Sequence, residues 1–158
     1  MFTRIKWPLA TRAYRLKMDI VFKRNDRQLG ESKFLELVQA VWPGTYDPES
    51  VKGALQKTVN VTAWENEKLV GCVRILTDGY FFGTISEILV DPAYQKRGVG
   101  RRLMELAWEL SPTSLFFGAQ PGNEGFFEKL GYKKRMQSYQ RKKSHAPIKK
   151  PMASSSRL

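Results

Sequence analysis

Between Ser86 and Arg102 the chain reads SEILVDPAYQKRGVGRR. An apolar run ends at Asp91-Pro92, and a basic, glycine-bearing segment leads into residues with Leu103, Leu106, Ala107 and Leu110 at helical spacing. A strand, a loop and an amphipathic helix in that order leave backbone N–H groups without partners at the helix start, where the helix dipole also favours negative charge. Such a segment can cradle an anion. Gly98 and Gly100, with Val99 between them, let a phosphate approach the backbone, while Gln95, Lys96, Arg97 and Arg101 can surround it with donors and positive charge. The same residues would also serve a plain glycine connection bearing solvated cations. Two other phosphate loops are excluded: there is no G-x-x-x-x-G-K-[ST], and the Gly98/Gly100 pair lacks the third glycine of the dinucleotide fingerprint.

Counting narrows the chemistry further. With one cysteine, Cys72, and one histidine, His145, an internal disulfide, a Cys/His zinc site and a Ser/His/Asp triad are all ruled out. Catalysis would rest on carboxylates, hydroxyls, backbone groups or a cofactor, and no metal is expected. Cys72, inside an apolar run, reads as a small buried hydrophobe. The net charge of +12 is concentrated at the ends: residues 1–17 carry +5, residues 18–132 carry −2 and residues 133–158 carry +9. Basic ends can touch phosphates or anionic lipid but more often solubilise, so the charge says little about the function of the body and nucleic acid is not the expected partner. No apolar run reaches the roughly 18 to 20 residues of a membrane span, and no secretory signal is visible. The cytosol is the simplest compartment; an organelle is the alternative, through the basic N-terminal extension.

The elements that must position the loop follow from periodicity. A strand-like run, Ile20 to Phe22, precedes a helix over 31–42 with Phe34, Leu35, Val38 and Trp42 on one face. Asp47-Pro48-Glu49 caps a second helix to about Lys57. β-rich runs over 59–64 and 69–76, joined through Asn66-Glu67-Lys68, predict a hairpin, and Thr77-Asp78-Gly79 turns into a strand over 82–90. A helix over 98–110, a short strand over 114–117, a helix over 123–130 and a final strand over 132–140 complete the order β-α-α-β-β-β-α-β-α-β. Residues 1–17 form an extension, 18–143 one domain, and 144–158 a basic tail without a core pattern.

Gln95-Lys96-Arg97-Gly98-Val99-Gly100 resembles the Q/R-x-x-G-x-G/A signature of the GNAT acetyltransferases, and Phe126-Phe127-Glu128-Lys129-Leu130-Gly131-Tyr132 resembles their F-Y-E-K-L-G-F segment. The spacing and strand order agree, so the resemblance covers about residues 19–142. It implies an α+β fold: a single GNAT-like domain whose mixed, mostly antiparallel sheet has splayed central strands and about four flanking helices. It also implies acetyl-CoA as co-substrate, with its pantetheine arm along Ile88, Leu89 and Val90 and its pyrophosphate on the amides of Gln95 to Gly100. The strand amide near Leu89 would be the oxyanion donor.

On the same basis Glu87 is the candidate general base, acting directly or through water; the alternative is a carboxylate solvated at the sheet edge or paired with an arginine. Phe127 stands where relatives carry the Tyr that protonates the leaving thiolate, so no general acid is assigned, although the position still borders the cofactor. Gln120 replaces an Asn that contacts the cofactor arm, a role Asn123 would take over. Arg74, Asp78 and Tyr80, with the loop from Trp42 to Tyr46, are the candidate substrate contacts; Arg74 would otherwise pair with Asp78 or Glu87. The activity implied is transfer of acetyl to a primary amine on a small molecule, with dimerisation left open. The competing expectation is a CoA-sensing or nucleic-acid-binding module built on the same fold.

Overall fold

Apolar residues at strand and helix periods sort onto two faces of one sheet in the computed structural model, which describes residues 20–135 and 137–141. The strands are β1 (Val21–Lys23), β2 (Val59–Glu65), β3 (Lys68–Thr77), β4 (Gly83–Val90) and β5 (Leu115–Phe116), in that spatial order. The helices are α1 (Glu31–Val41), α2 (Pro48–Gln56), α3 (Val99–Leu110) and α4 (Glu124–Lys129). The first three pairings are antiparallel and β4–β5 is parallel, which is the expected mixed, mostly antiparallel α+β sheet.

Each helix buries apolar residues against its neighbours, and α2 also has a side-chain cap. α2 begins where the Asp47 carboxylate accepts the Ser50 N–H at 3.0 Å and Pro48 opens the first turn, a cap worth about 1 kcal/mol. Phe34, Leu37 and Val38 of α1 and Val51 and Leu55 of α2 pack with Leu69, Cys72 and Leu89 on one face. On the other face Val99, Leu103, Leu106 and Ala107 of α3 and Phe127 of α4 meet Val73, Ile85, Ile88 and Val90. Full burial of such side chains stabilises by roughly 1.5–3 kcal/mol each. Gly71 is what lets α3 lie this close, because a Cβ there would stand 2.8 Å from Leu103 Cδ1 and 3.1 Å from Val99 Cγ1.

Two features depart from simple alternation. In β4, Glu87 is opposite Arg74 and Ile85 opposite Ile75, so Ser86 is an extra residue, a β-bulge. Ile85 and Ile88, three positions apart, consequently face the same core. The strand expected over 132–140 is absent from the described residues there: Lys133, Lys134 and Arg135 are exposed and bring no apolar face to a partner as short as β5. The extension 1–17 and the tail 144–158 lie outside the described residues. Among the described residues no helix is long and apolar enough to cross a membrane.

Candidate active site

β4 and β5 pair only at Gly83–Leu115 and Thr84–Phe116. Beyond Phe116 the chain leaves the ladder, and a cleft of about 110 Å³ opens between β4 and residues 117–120. Ile85 to Ile88, Phe117, Gln120, Asn123 and Phe127 line it, with Val41 and Trp42 at the end of α1. The Trp42 segment is pinned: the Tyr46 hydroxyl donates to the Trp42 carbonyl at 2.6 Å, and the Gln39 amide brackets Gly44 through its N–H and C=O at 3.1 and 2.6 Å.

Backbone direction along β4 follows from one hydrogen bond. Asp91 N–H donates to the Val70 carbonyl at 2.9 Å, and alternation in an antiparallel ladder then turns the amides of Leu89 and Glu87 toward β3 as well. Ile88 and Val90 are the residues whose N–H and C=O face the splay. The Leu89 amide itself faces Cys72 across the ladder, so the amide near Leu89 on the open side is that of Ile88.

At the end of β4 the loop is built by its own side chains. The Asp91 carboxylate accepts the Ala93 N–H at 2.9 Å, starting a 3-10 turn (Pro92–Tyr94), and pairs with Lys68 at 2.8 Å. Gln95 Nε2 donates to the Val90 carbonyl at 3.2 Å. Lys96 and Gly98 adopt left-handed φ of 57° and 85°, and Gly98 caps α3 with no side-chain bond to the first turn. The first intrahelical bond runs from Arg102 N–H to the Gly98 carbonyl at 3.0 Å, so the amides of Val99, Gly100 and Arg101 point outward as anion donors. A Cβ on Gly98 would meet nothing within 4 Å, whereas one on Gly100 would meet Phe126 Cζ at 3.4 Å. Gly98 is therefore needed for its backbone angle, whereas a side-chain carbon at Gly100 would make only ordinary van der Waals contact. Left-handed turns, outward amides and clear space fit the diphosphate of a coenzyme A ester.

Glu87 lines the cleft while almost wholly buried, and Arg74 Nε donates to its Oε1. The arginine in turn stands over the Phe34 ring of α1, 5.2 Å from its centroid. Arg74 does not line the cleft; it holds the carboxylate that does. Asp78 and Tyr80 are also outside the cleft lining. Asp78 Oδ1 accepts the N–H groups of Tyr80, Phe81 and Phe82 at 2.9, 2.9 and 3.0 Å, and these bonds, with Phe82's the largest effect, hold its pKa below the ordinary carboxylate value. Tyr80 projects from that turn 80% exposed.

Asn123 is buried at the start of α4, and Phe127 packs on Phe117 with ring centroids 4.6 Å apart. Tyr132 has a buried hydroxyl whose pKa is raised by desolvation, and its ring packs edge-on behind Phe117, centroids 5.1 Å apart, without itself lining the cleft. Cys72 is fully buried, and burial first, then the charge of Glu87, pushes its thiol pKa upward. Sequence reasoning missed Val41, Ser86 and Phe117 as lining residues; the bulge that turns Ser86 toward the cleft leaves no mark in composition. Among the described residues no group of three or more His, Cys, Asp or Glu could hold a metal ion.

Residues 57–134 match the model of the acetyltransferase (GNAT) domain. The chain is 35% identical over 74 residues to a chloroplastic GCN5-related N-acetyltransferase of Arabidopsis thaliana, covering 43% of this chain and 28% of that protein. It is 34% identical over 74 residues to a histone acetyltransferase of Glycine max, covering 43% and 31%. The chain thus spans about a third of the length of the curated relatives it matches. A GNAT-family acetyltransferase structure from Streptococcus pneumoniae superposes with a TM-score of 0.63 at 24% identity, over 78% of this chain and all of that one. Residues 57–134 of the chain are thus a GNAT acetyltransferase domain by their match to the family model, and the fold around them is the one that GNAT structures share.

Proposed function

We propose that the chain transfers an acetyl group from acetyl-CoA to a primary amine on a small molecule. The observation that carries this reading is the open edge of β4, where Ile88 lines the cleft and the chain past Val90 runs into the loop that ends in the outward amides of α3. A pantetheine arm would lie along that edge as an added strand, and the diphosphate would rest on the amides from Gln95 to Gly100. Acetyl-CoA supplies the thioester carbonyl. Ile88 N–H is the donor for negative charge developing on its oxygen, and Glu87 draws the proton from the attacking amine, directly or through water. Arg74 fixes the carboxylate, while Asn123 and Phe127 border the arm. No residue is assigned to protonate the departing thiolate. The narrow cleft between Trp42 and Phe117 supports a small acceptor, and the chloroplastic name of the Arabidopsis relative supports the organellar alternative to the cytosol.

The test is thiol release from acetyl-CoA with a panel of amines. Turnover on at least one amine is expected. CoA binding without turnover on any of them, or salt-sensitive nucleic-acid binding in its place, would transfer support to the non-enzymatic module.

A further inference from the structure

Tyr94 connects the anion loop to the turn between β2 and β3. Its buried ring is fixed at the hydroxyl, which donates to Oε2 of Glu65 at the end of β2. Two cations stand over the ring: Lys68 Nζ at 5.0 Å from the centroid and the Arg97 guanidinium at 4.9 Å. Of the charged groups gathered there, Glu65 holds the Tyr94 hydroxyl and Lys68 holds Asp91 at 2.8 Å. Arg97 makes no ion pair among the described residues, so its charge is the one left for a ligand. It is exposed and sits between the left-handed residues Lys96 and Gly98, directly before α3.

An exposed arginine samples many rotamers, and ordering it around an anion weakens binding. A planar guanidinium resting on a fixed aromatic ring is ordered beforehand. We propose that Tyr94 is a positioning residue for donor binding: its ring, anchored by Glu65, holds Arg97 at the mouth of the cradle to meet a phosphate of the CoA ester. This role rests on the reading of the chain as CoA-dependent and adds a residue to it. It also makes the β2–β3 turn, distant in sequence from the loop, part of the donor site.

The experiment is titration calorimetry of CoA into the wild type, Tyr94→Leu, Arg97→Ala and the double variant, with a melting temperature for each. Each single substitution is expected to weaken CoA binding by about 5- to 10-fold. The double variant is expected to bind no more weakly than Arg97→Ala, because the ring acts through the guanidinium. A further loss from Tyr94→Leu in the Arg97→Ala background would mean that the tyrosine only supports the fold, and it overturns the proposal; so does an unchanged affinity in Tyr94→Leu. Should Tyr94→Leu fail to fold, Glu65→Ala removes the acceptor that anchors the ring and completes the same cycle with Arg97→Ala. Failure of the wild type to bind CoA would instead overturn the CoA-dependent reading, a result distinct from any pattern among the variants.

Discussion

Arg74 and Glu87 are direct partners across the β3–β4 ladder, joined by a buried ion pair at the last register position before the bulge. The pair therefore ties the proposed base to the residue that interrupts the strand. Glu87→Gln is expected to lower turnover at pH 7 by about 100- to 10,000-fold, with the deficit shrinking as pH rises and more amine arrives neutral. It is also expected to destabilise the fold by about 3–5 kcal/mol, because a buried guanidinium loses its counter-charge. The double variant Arg74→Met/Glu87→Gln separates the two effects: stability should return in part while turnover does not. Recovery of rate along with stability would make Glu87 structural.

Gly98 offers a cleaner probe of the cradle, since its φ of 85° leaves clear space where a side chain would go. Gly98→Ala should cost about 1 kcal/mol of stability through backbone strain alone. Gly98→Asp carries the same strain plus a negative charge at the helix start, and should weaken CoA binding about 10-fold beyond the alanine variant. Calorimetry at low and high salt checks this, because screening should narrow the difference.

At Gly71 the expected effect is on stability. The methyl of Gly71→Ala would press on Leu103 and Val99, both fully enclosed, and overpacking of this kind costs about 1–3 kcal/mol. A melting temperature lowered by several degrees is expected; an unchanged one would show that α3 shifts without cost.

Cys72 should resist alkylation in the folded protein and react only as the chain unfolds. Its thiol pKa lies above the ordinary 9.0, so the unfolded chain releases this proton first. The contribution to stability is complete below about pH 9 and is lost as pH rises toward the native value. Denaturant titrations at pH 7.5 and 9.5 would read the loss, and labelling in native buffer at the rate of a free thiol would contradict the assignment.

Much of the fold was legible because its signals are local. The Asp47-Pro48 cap, the apolar spacing of α3 and the glycines of the loop each act within a few residues, and the helices formed within a residue or two of expectation. The cleft was less legible because its particulars depend on register. One extra residue at Ser86 decides which amides of β4 reach the splay, and nothing in SEIL announces it. Arg74 had Asp78 or Glu87 as alternative partners in sequence, and only the ladder selects Glu87. Tyr80 and Asp78 looked like substrate contacts by proximity along the chain, yet the hairpin carries both outside the cleft lining. The expected last strand failed because an alternating pattern needs an edge long enough to receive it, and β5 has two residues.

The bulge has one more consequence, for how this strand can change over evolutionary time. Ser86 acts as a phase slip: odd positions 87 and 89 face α1, yet odd position 85 faces α3 with the even positions 88 and 90. Deleting that single serine would restore a regular pleat and leave Ile85 where it is, on the side of Ile88 and opposite to Glu87, because the bulge only absorbs the extra residue. Ser86 thus reads as an insertion the strand has already absorbed, a spare residue that could be gained or lost without turning the rest of β4 inside out, and that now lends its side chain to the cleft.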